Sequence, residues 1–241
     1  GNDIRLAVAG ALVNDGGITA GGNTVITAGS LASSGGSVLG AGVQGDGKPG
    51  LAGELSVAVS GSLVANGVNL AVGDATLRGA SVDLSGSQTG AANISVTATQ
   101  GNVKTSDKAK VVTPGALRIT ANAQADQALV NDAGVLNAGR LNLRASNIAN
   151  TRGGEIVQTG ADATTLAVSG MLNNDGGLIA SNGRDLTLSA ARLGNAGGAI
   201  EHAGEHARTG TLRIAGGSFS GAGGRIAGNG ALAIDLKNGF E

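Results

Sequence analysis

Cysteine, tryptophan and tyrosine are absent from the chain, and Phe219 and Phe240 are its only aromatic side chains. Without cysteine there is no disulfide and no thiolate metal site. That absence fits a secreted bacterial chain, although it does not define a compartment. Without aromatics, a compact core loses the side chains that normally supply much of its buried area. Any interior must be filled by Leu, Val, Ile and Ala, which suits a thin and uniform cross-section. No stretch approaches the ~18 consecutive apolar residues of a membrane-spanning helix. An excess of either charge is missing too: 16 Lys and Arg stand against 17 Asp and Glu, for a net charge of −1. This balance gives no electrostatic footprint for nucleic acid or an anionic membrane.

What is abundant is glycine, 45 of 241 residues, with 41% hydrophobic content. That much apolar surface at low net charge argues against disorder, so the glycines mark turns and close backbone approaches. They fall in a repeated frame. Residues 166–179 read LAVSGMLNNDGGLI, and residues 6–18 read LAVAGALVNDGGI. The frame returns at 141–156, 186–200 and 212–226: an alternating apolar pair, a small residue, a lone Leu, Ile or Phe, usually an Asn, then Gly-Gly and an aliphatic. Starts at Leu141, Leu166, Leu186 and Leu212 lie roughly 20 to 26 residues apart, the period of a solenoid rung. One such repeat cannot bury its own apolar face, so stacked copies make the core together.

Period-two alternation is the local signal throughout, in Ile4/Leu6/Val8, Leu55/Val57/Val59, Leu70/Val72, Ile94/Val96, Leu117/Ile119, Leu186/Leu188 and Leu232/Ile234/Leu236. Each set places one apolar row on one strand face, with polar or small residues outward. No window sustains apolar residues at i, i+3, i+4 and i+7, so essentially no helix is expected. A sandwich or barrel has no reason to restate one turn at near-constant spacing. The reading is an all-β, parallel β-helix of roughly ten coils, one segment covering 1–241 and cut from a longer chain. Leu143, Val168, Leu188 and Ile214 are expected to stack inward in adjacent coils. Asn14, Asn150, Asn174 and Asn195 fall just before the Gly-Gly, where stacked amides can hydrogen-bond along the axis. Residues 74–115 lose that turn, Gly40–Gly53 with Pro49 is expected to protrude as a loop, and Glu201–Thr209 forms a smaller excursion.

The frame Leu141, Leu143, Ala145, Ile148, Asn150, Gly153, Gly154, Ile156, repeated from Leu186 to Ile200, resembles the haemagglutinin repeats of filamentous-haemagglutinin-type exoproteins. These are the large secreted partners of bacterial two-partner secretion systems. The resemblance implies a right-handed parallel β-helix, export through an outer-membrane transporter partner, and a place on or outside a Gram-negative cell. It implies a structural or adhesive shaft, of an adhesin or of a contact-dependent growth-inhibition toxin, with a host or target-cell receptor or glycan as partner. An autotransporter passenger and a β-helix carbohydrate-active enzyme are the alternatives.

Several letter patterns suggest chemistry that their context does not support. Gly40-x-Gly42-x-x-Gly45 matches a dinucleotide fingerprint, but no strand-turn-helix surrounds it and no acidic partner follows. Gly42 to Gly47-Lys48 nearly spells a phosphate loop, yet Pro49 stands where Ser or Thr must hold magnesium. His202-Ala-Gly-Glu205-His206 satisfies HxxEH. Zinc hydrolysis of that kind needs a helix to place both imidazoles on one side, and Gly204 with flanking β-repeats opposes one. Asp15, Asp132 and Asp175 sit in turns beside Asn, where short polar side chains favour turn geometry. The sequence therefore predicts no catalytic, cofactor-binding or metal site, no nucleic-acid partner and no enzymatic activity. Arg5, Arg118, Arg144 and Arg213 should face outward as weak contact points.

Overall fold

The computed structural model describes residues 2–43, 50, 52–121, 128–204 and 209–241. Across these residues the chain is all strand and turn, wound as a parallel β-solenoid of about ten turns. At one strand spacing of about 4.8 Å per turn the shaft is roughly 50 Å long.

Each turn lays down three short strands, one on each of three faces. The first face runs Ile4, Thr24, Leu55, Ala75, Ile94, Leu117, Leu141 in axial register, and resumes as Thr164, Leu186, Leu212, Leu232. The second face carries Leu12, Leu31, Leu63, Val82, Val103, Leu129, Ile148, Leu172, Leu193 and Phe219 in one column. The third face carries Ile18, Leu39, Asn69, Thr89, Val111, Leu136, Ile156, Ile179, Ile200 and Ile226. Strands such as Ile4–Asn14 and Lys110–Ala121 bend from one face to the next without a break, with a register shift at the corner.

The core is an aliphatic column because every turn offers the same inward positions. Ile26, Val57, Leu77, Val96, Ile119, Leu166, Leu188 and Ile214 are all fully or almost fully buried. Burying such side chains contributes about 1.5–3 kcal/mol each before chain entropy is subtracted. The inward face assigned to Leu143, Val168, Leu188 and Ile214 holds, but Val168 stacks in another column. Leu166 is the residue opposite Leu188, while Val168 donates its N–H to the Ser189 carbonyl one step further on.

The Leu70/Val72 row also points otherwise than its alternation implies. Asn69 is the buried residue of the strand Val68–Ala71, and Leu70 faces out at 41% exposure. The buried amide is held by the Ala65 carbonyl and the Thr89 hydroxyl, both at 3.0 Å. An Asn whose amide nitrogen is bonded in this way can occupy an inward position, so hydrophobicity alone mispredicts the face. Gly40 and Ala41 lie in the paired strand Val38–Ala41. Most of the remaining stretch to Gly53 lies outside the described residues.

Candidate functional site

The corner between the second and third faces holds the longest run of bonded, buried polar side chains among the described residues. Asn131, Asn150, Asn174 and Asn195 occupy equivalent places in four consecutive turns, all essentially buried. Each amide Nδ2 donates to the next Oδ1 at 2.7 Å, from Asn131 to Asn150 to Asn174 to Asn195. The same nitrogens donate to the carbonyls of Glu155, Leu178, Ala199 and Arg225, which open the third-face strand one turn on. Thr105 starts the row, its hydroxyl donating to Asn131 Oδ1 at 2.9 Å. Of the four asparagines assigned from sequence, Asn150, Asn174 and Asn195 lie in this ladder, while Asn14 bonds Ser33 in a separate one. Asn131 was missed, because Ala133 replaces the first glycine of its turn.

The two glycines after each Asn answer two different demands. Gly176 and Gly197 adopt positive φ, 64° and 60°, a region costly for residues with a Cβ. Gly177 and Gly198 are needed for space: a Cβ there would overlap the backbone carbonyl oxygen of Asn150 or Asn174 in the preceding turn.

On the outside of the same corner the acidic residues are spread along the axis. Asp15 is exposed. Asp175 accepts the Ala196 N–H at 2.7 Å through Oδ1, so it too fastens one turn to the next. Asp132 receives both the Nε and a terminal nitrogen of Arg152. Hydrogen bonding from Arg152, with its positive charge and the Thr151 hydroxyl, holds the Asp132 carboxyl below its ordinary value despite some burial. The same contact raises Arg152. Further ion pairs link adjacent turns, Arg140 to Asp162, Arg213 to Asp235 and Arg225 to Glu201. Such pairs contribute under about 1 kcal/mol each when exposed; they favour correct register more than raw stability.

Of the HxxEH letters, His202 lies inside the shaft at the end of the strand Ala199–His202. Its Nε2 is 2.8 Å from the Gly183 carbonyl oxygen, so that nitrogen carries the proton and Nδ1 is left buried without a partner. Glu205 and His206 lie outside the described residues, as do Gly45, Gly47, Lys48 and Pro49 of the glycine motifs. Among the described residues no group of three His, Asp or Glu side chains is placed to hold a metal. Arg118 borders an open groove on the first face with Asp74 and Asn93. Arg5 lines another groove, beside Asp3 and Glu54. Among the described residues no helix is long and apolar enough to cross a membrane.

The chain is similar to parts of two much larger proteins. It is 42% identical over 152 residues to a Yersinia pestis protein named Toxin CdiA, a match covering 63% of this chain and 5% of that one. It is 44% identical over 112 residues to the tRNA nuclease CdiA-2 of Burkholderia pseudomallei (strain 1026b), covering 46% of this chain and 3% of that one. The chain thus spans a twentieth or less of the length of these curated relatives. No family model matches it, and no solved structure does. The relatives overturn one expectation from the sequence, that of no enzymatic activity, since one is named as a tRNA nuclease and the other as a toxin.

Proposed function

We propose that this chain is a shaft segment of a contact-dependent growth-inhibition exoprotein, a toxin that extends from the surface of a Gram-negative cell and attaches to its targets. The observation that carries this reading is the solenoid itself, found in a sequence that is over 40% identical to stretches of two proteins named CdiA. A stack of near-identical turns adds length without adding a new kind of interface, about 4.8 Å for every turn. The reading includes export of the whole protein through an outer-membrane transporter partner. It also includes enzymatic toxicity of the kind named for the Burkholderia relative, acting inside the target. Outward side chains such as Arg118 and Arg144 supply secondary contacts during attachment.

The test is made in the full-length protein on living cells. Deleting 164–185 removes one turn in register, because Thr164 and Leu186 are axial neighbours. The surface filament should shorten by about 5 Å per turn removed, and several such deletions should lower killing of contacting cells while export stays normal. Unchanged filament length after removal of several turns would refute the shaft.

A further inference from the structure

We propose that the third face is a self-association surface on which two copies of this chain pair side by side, antiparallel, about a two-fold axis at the turn of Val135. This goes beyond a lone shaft and does not depend on what the whole protein does.

The first observation is that the outside of this face carries more aliphatic side chains than the outside of the first face. Axial neighbours on the first face are Ser56, Thr76, Ser95, Arg118 and Asn142. The corresponding outward positions of the third face include Val68, Leu70, Val112, Val135, Val157 and Leu178. Val112 and Leu70 are 44% and 41% exposed, among the largest exposed apolar side chains away from the two ends. A flat sheet face with aliphatics in register presents the surface by which sheets stack about 10 Å apart.

The second observation selects a second copy as the occupant. Two outward columns run along the face. One reads Val68, Gln88, Lys110, Val135, Glu155, Leu178, Ala199, and the other Leu70, Gly90, Val112, Asn137, Val157, Ala180, Glu201. A two-fold axis parallel to the strands keeps each column and reverses the order of turns. Centred on the Val135 turn, it sets Lys110 of one copy against Glu155 of the other, and Glu155 against Lys110. It sets Val112 against Val157, the small Gly90 against Ala180, and Asn137 against its own copy, amide to amide; Gln88 meets Leu178, the one uneven pair inside the outermost turns. Neither Lys110 nor Glu155 has an ion-pair partner among the described residues. Among the described residues no other turn on this face places opposite charges symmetrically about one strand. The match ends in the outermost pair of the seven turns, where Val68 still meets Ala199 but Leu70 meets Glu201, already held by Arg225. Seven turns by four residues is a patch of about 450 Å² on each copy, roughly 900 Å² in all. That sits at the weak end of specific interfaces, suited to shafts crowded on one surface.

Sedimentation of the chain up to several hundred micromolar should reveal a concentration-dependent dimer. Lys110→Glu should weaken it about tenfold or more, and adding Glu155→Lys to the same chain should restore it. Because the protein has no cysteine of its own, Asn137→Cys should form an intermolecular disulfide under mild oxidation far faster than Thr165→Cys on the first face. A monomer at every concentration, a dimer indifferent to Lys110→Glu, or equal cross-linking of the two cysteine variants would each overturn the pairing. End-to-end association through Leu232 and Phe240 would produce the second and third of these results.

Discussion

Two stretches of the same corner solve the same problem differently. From Thr105 to Asn195 the corner between second and third faces is an unbroken row of bonded polar side chains. In the two preceding turns, Ala65 and Leu84 occupy that column, both fully buried. The polar group there has moved onto the third face, as Asn69 with Thr89 and Ser87. The ladder leaves each interior amide with both a donor and an acceptor role filled. The displaced cluster leaves Asn69 Oδ1, and nearby Asn66 Oδ1, buried without a partner. A polar row inside a solenoid is most fully satisfied when continuous, since each amide completes its neighbour. Where a turn lacks the Asn, an aliphatic corner serves better than an isolated polar one.

Both regions share the aliphatic columns, so the largest loss should come from breaking one. Leu188→Asp would bury an unpaired carboxylate between Leu166 and Ile214, costing several kcal/mol. Thr187→Asp, one residue away on the outer surface, should cost under about 1 kcal/mol. Chemical denaturation of the two variants side by side measures both, and comparable losses would mean that the faces are assigned wrongly.

Next in size is the ladder. Asn150→Leu removes the side-chain acceptor of Asn131, whose Nδ2 keeps the Gly134 and Glu155 carbonyls, and leaves Asn174 Oδ1 without its donor. The expected loss is about 3 kcal/mol, from one or two stranded buried groups. The converse change, Leu84→Asn, brings an amide to the aliphatic corner and should cost about 2 kcal/mol. If Asn150→Leu proved near-neutral, the ladder would be a consequence of the fold and not one of its supports.

A smaller contrast separates the glycines. Gly177→Ala must move the Asn150 carbonyl that its Cβ would strike, whereas a Cβ at Gly17, in the first turn, meets nothing within 4 Å. Melting temperatures should show a clear drop for the first, about 2 kcal/mol, and under about 0.5 kcal/mol for the second. Equal effects would assign the Gly-Gly signature to conformation alone.

These contrasts also mark what could be read from the chain. The period and the alternation of small and aliphatic residues carried the all-β solenoid, because every turn repeats one environment. Asn150, Asn174 and Asn195 were legible because Gly-Gly follows each. Asn131 was not, since Ala133 takes the left-handed position, φ 56°, that glycine fills elsewhere. The outward Leu70 was misread because an alternating pattern fixes two faces without saying which is inside, and only the partners of Asn69 decide that. The ion pairs between turns were invisible, because 20 to 24 residues separate their members along the chain.

The smallest expected effect concerns Asp132, whose carboxyl is held below its ordinary value. Asp132 and Arg152 join two turns on the outside of the ladder, so their pair tests whether outer contacts matter where the inner row is intact. Asp132 is 17% exposed and Arg152 77%, and an arginine so open to water is strongly screened. Because the folded carboxyl is held below its ordinary value, the pair stabilises the fold while the pH exceeds the unfolded value of about 4. That contribution fades as the pH falls from there through the folded value. Asp132→Asn should therefore lower the melting temperature slightly near neutrality, by less than Gly177→Ala does. Near pH 3 the difference from the parent chain should narrow, and added salt at neutral pH should narrow it too. A gap that stays constant from pH 7 to pH 3 would mean that Asp132 acts through a contact independent of its charge, and that the inner ladder alone fixes the register of these turns.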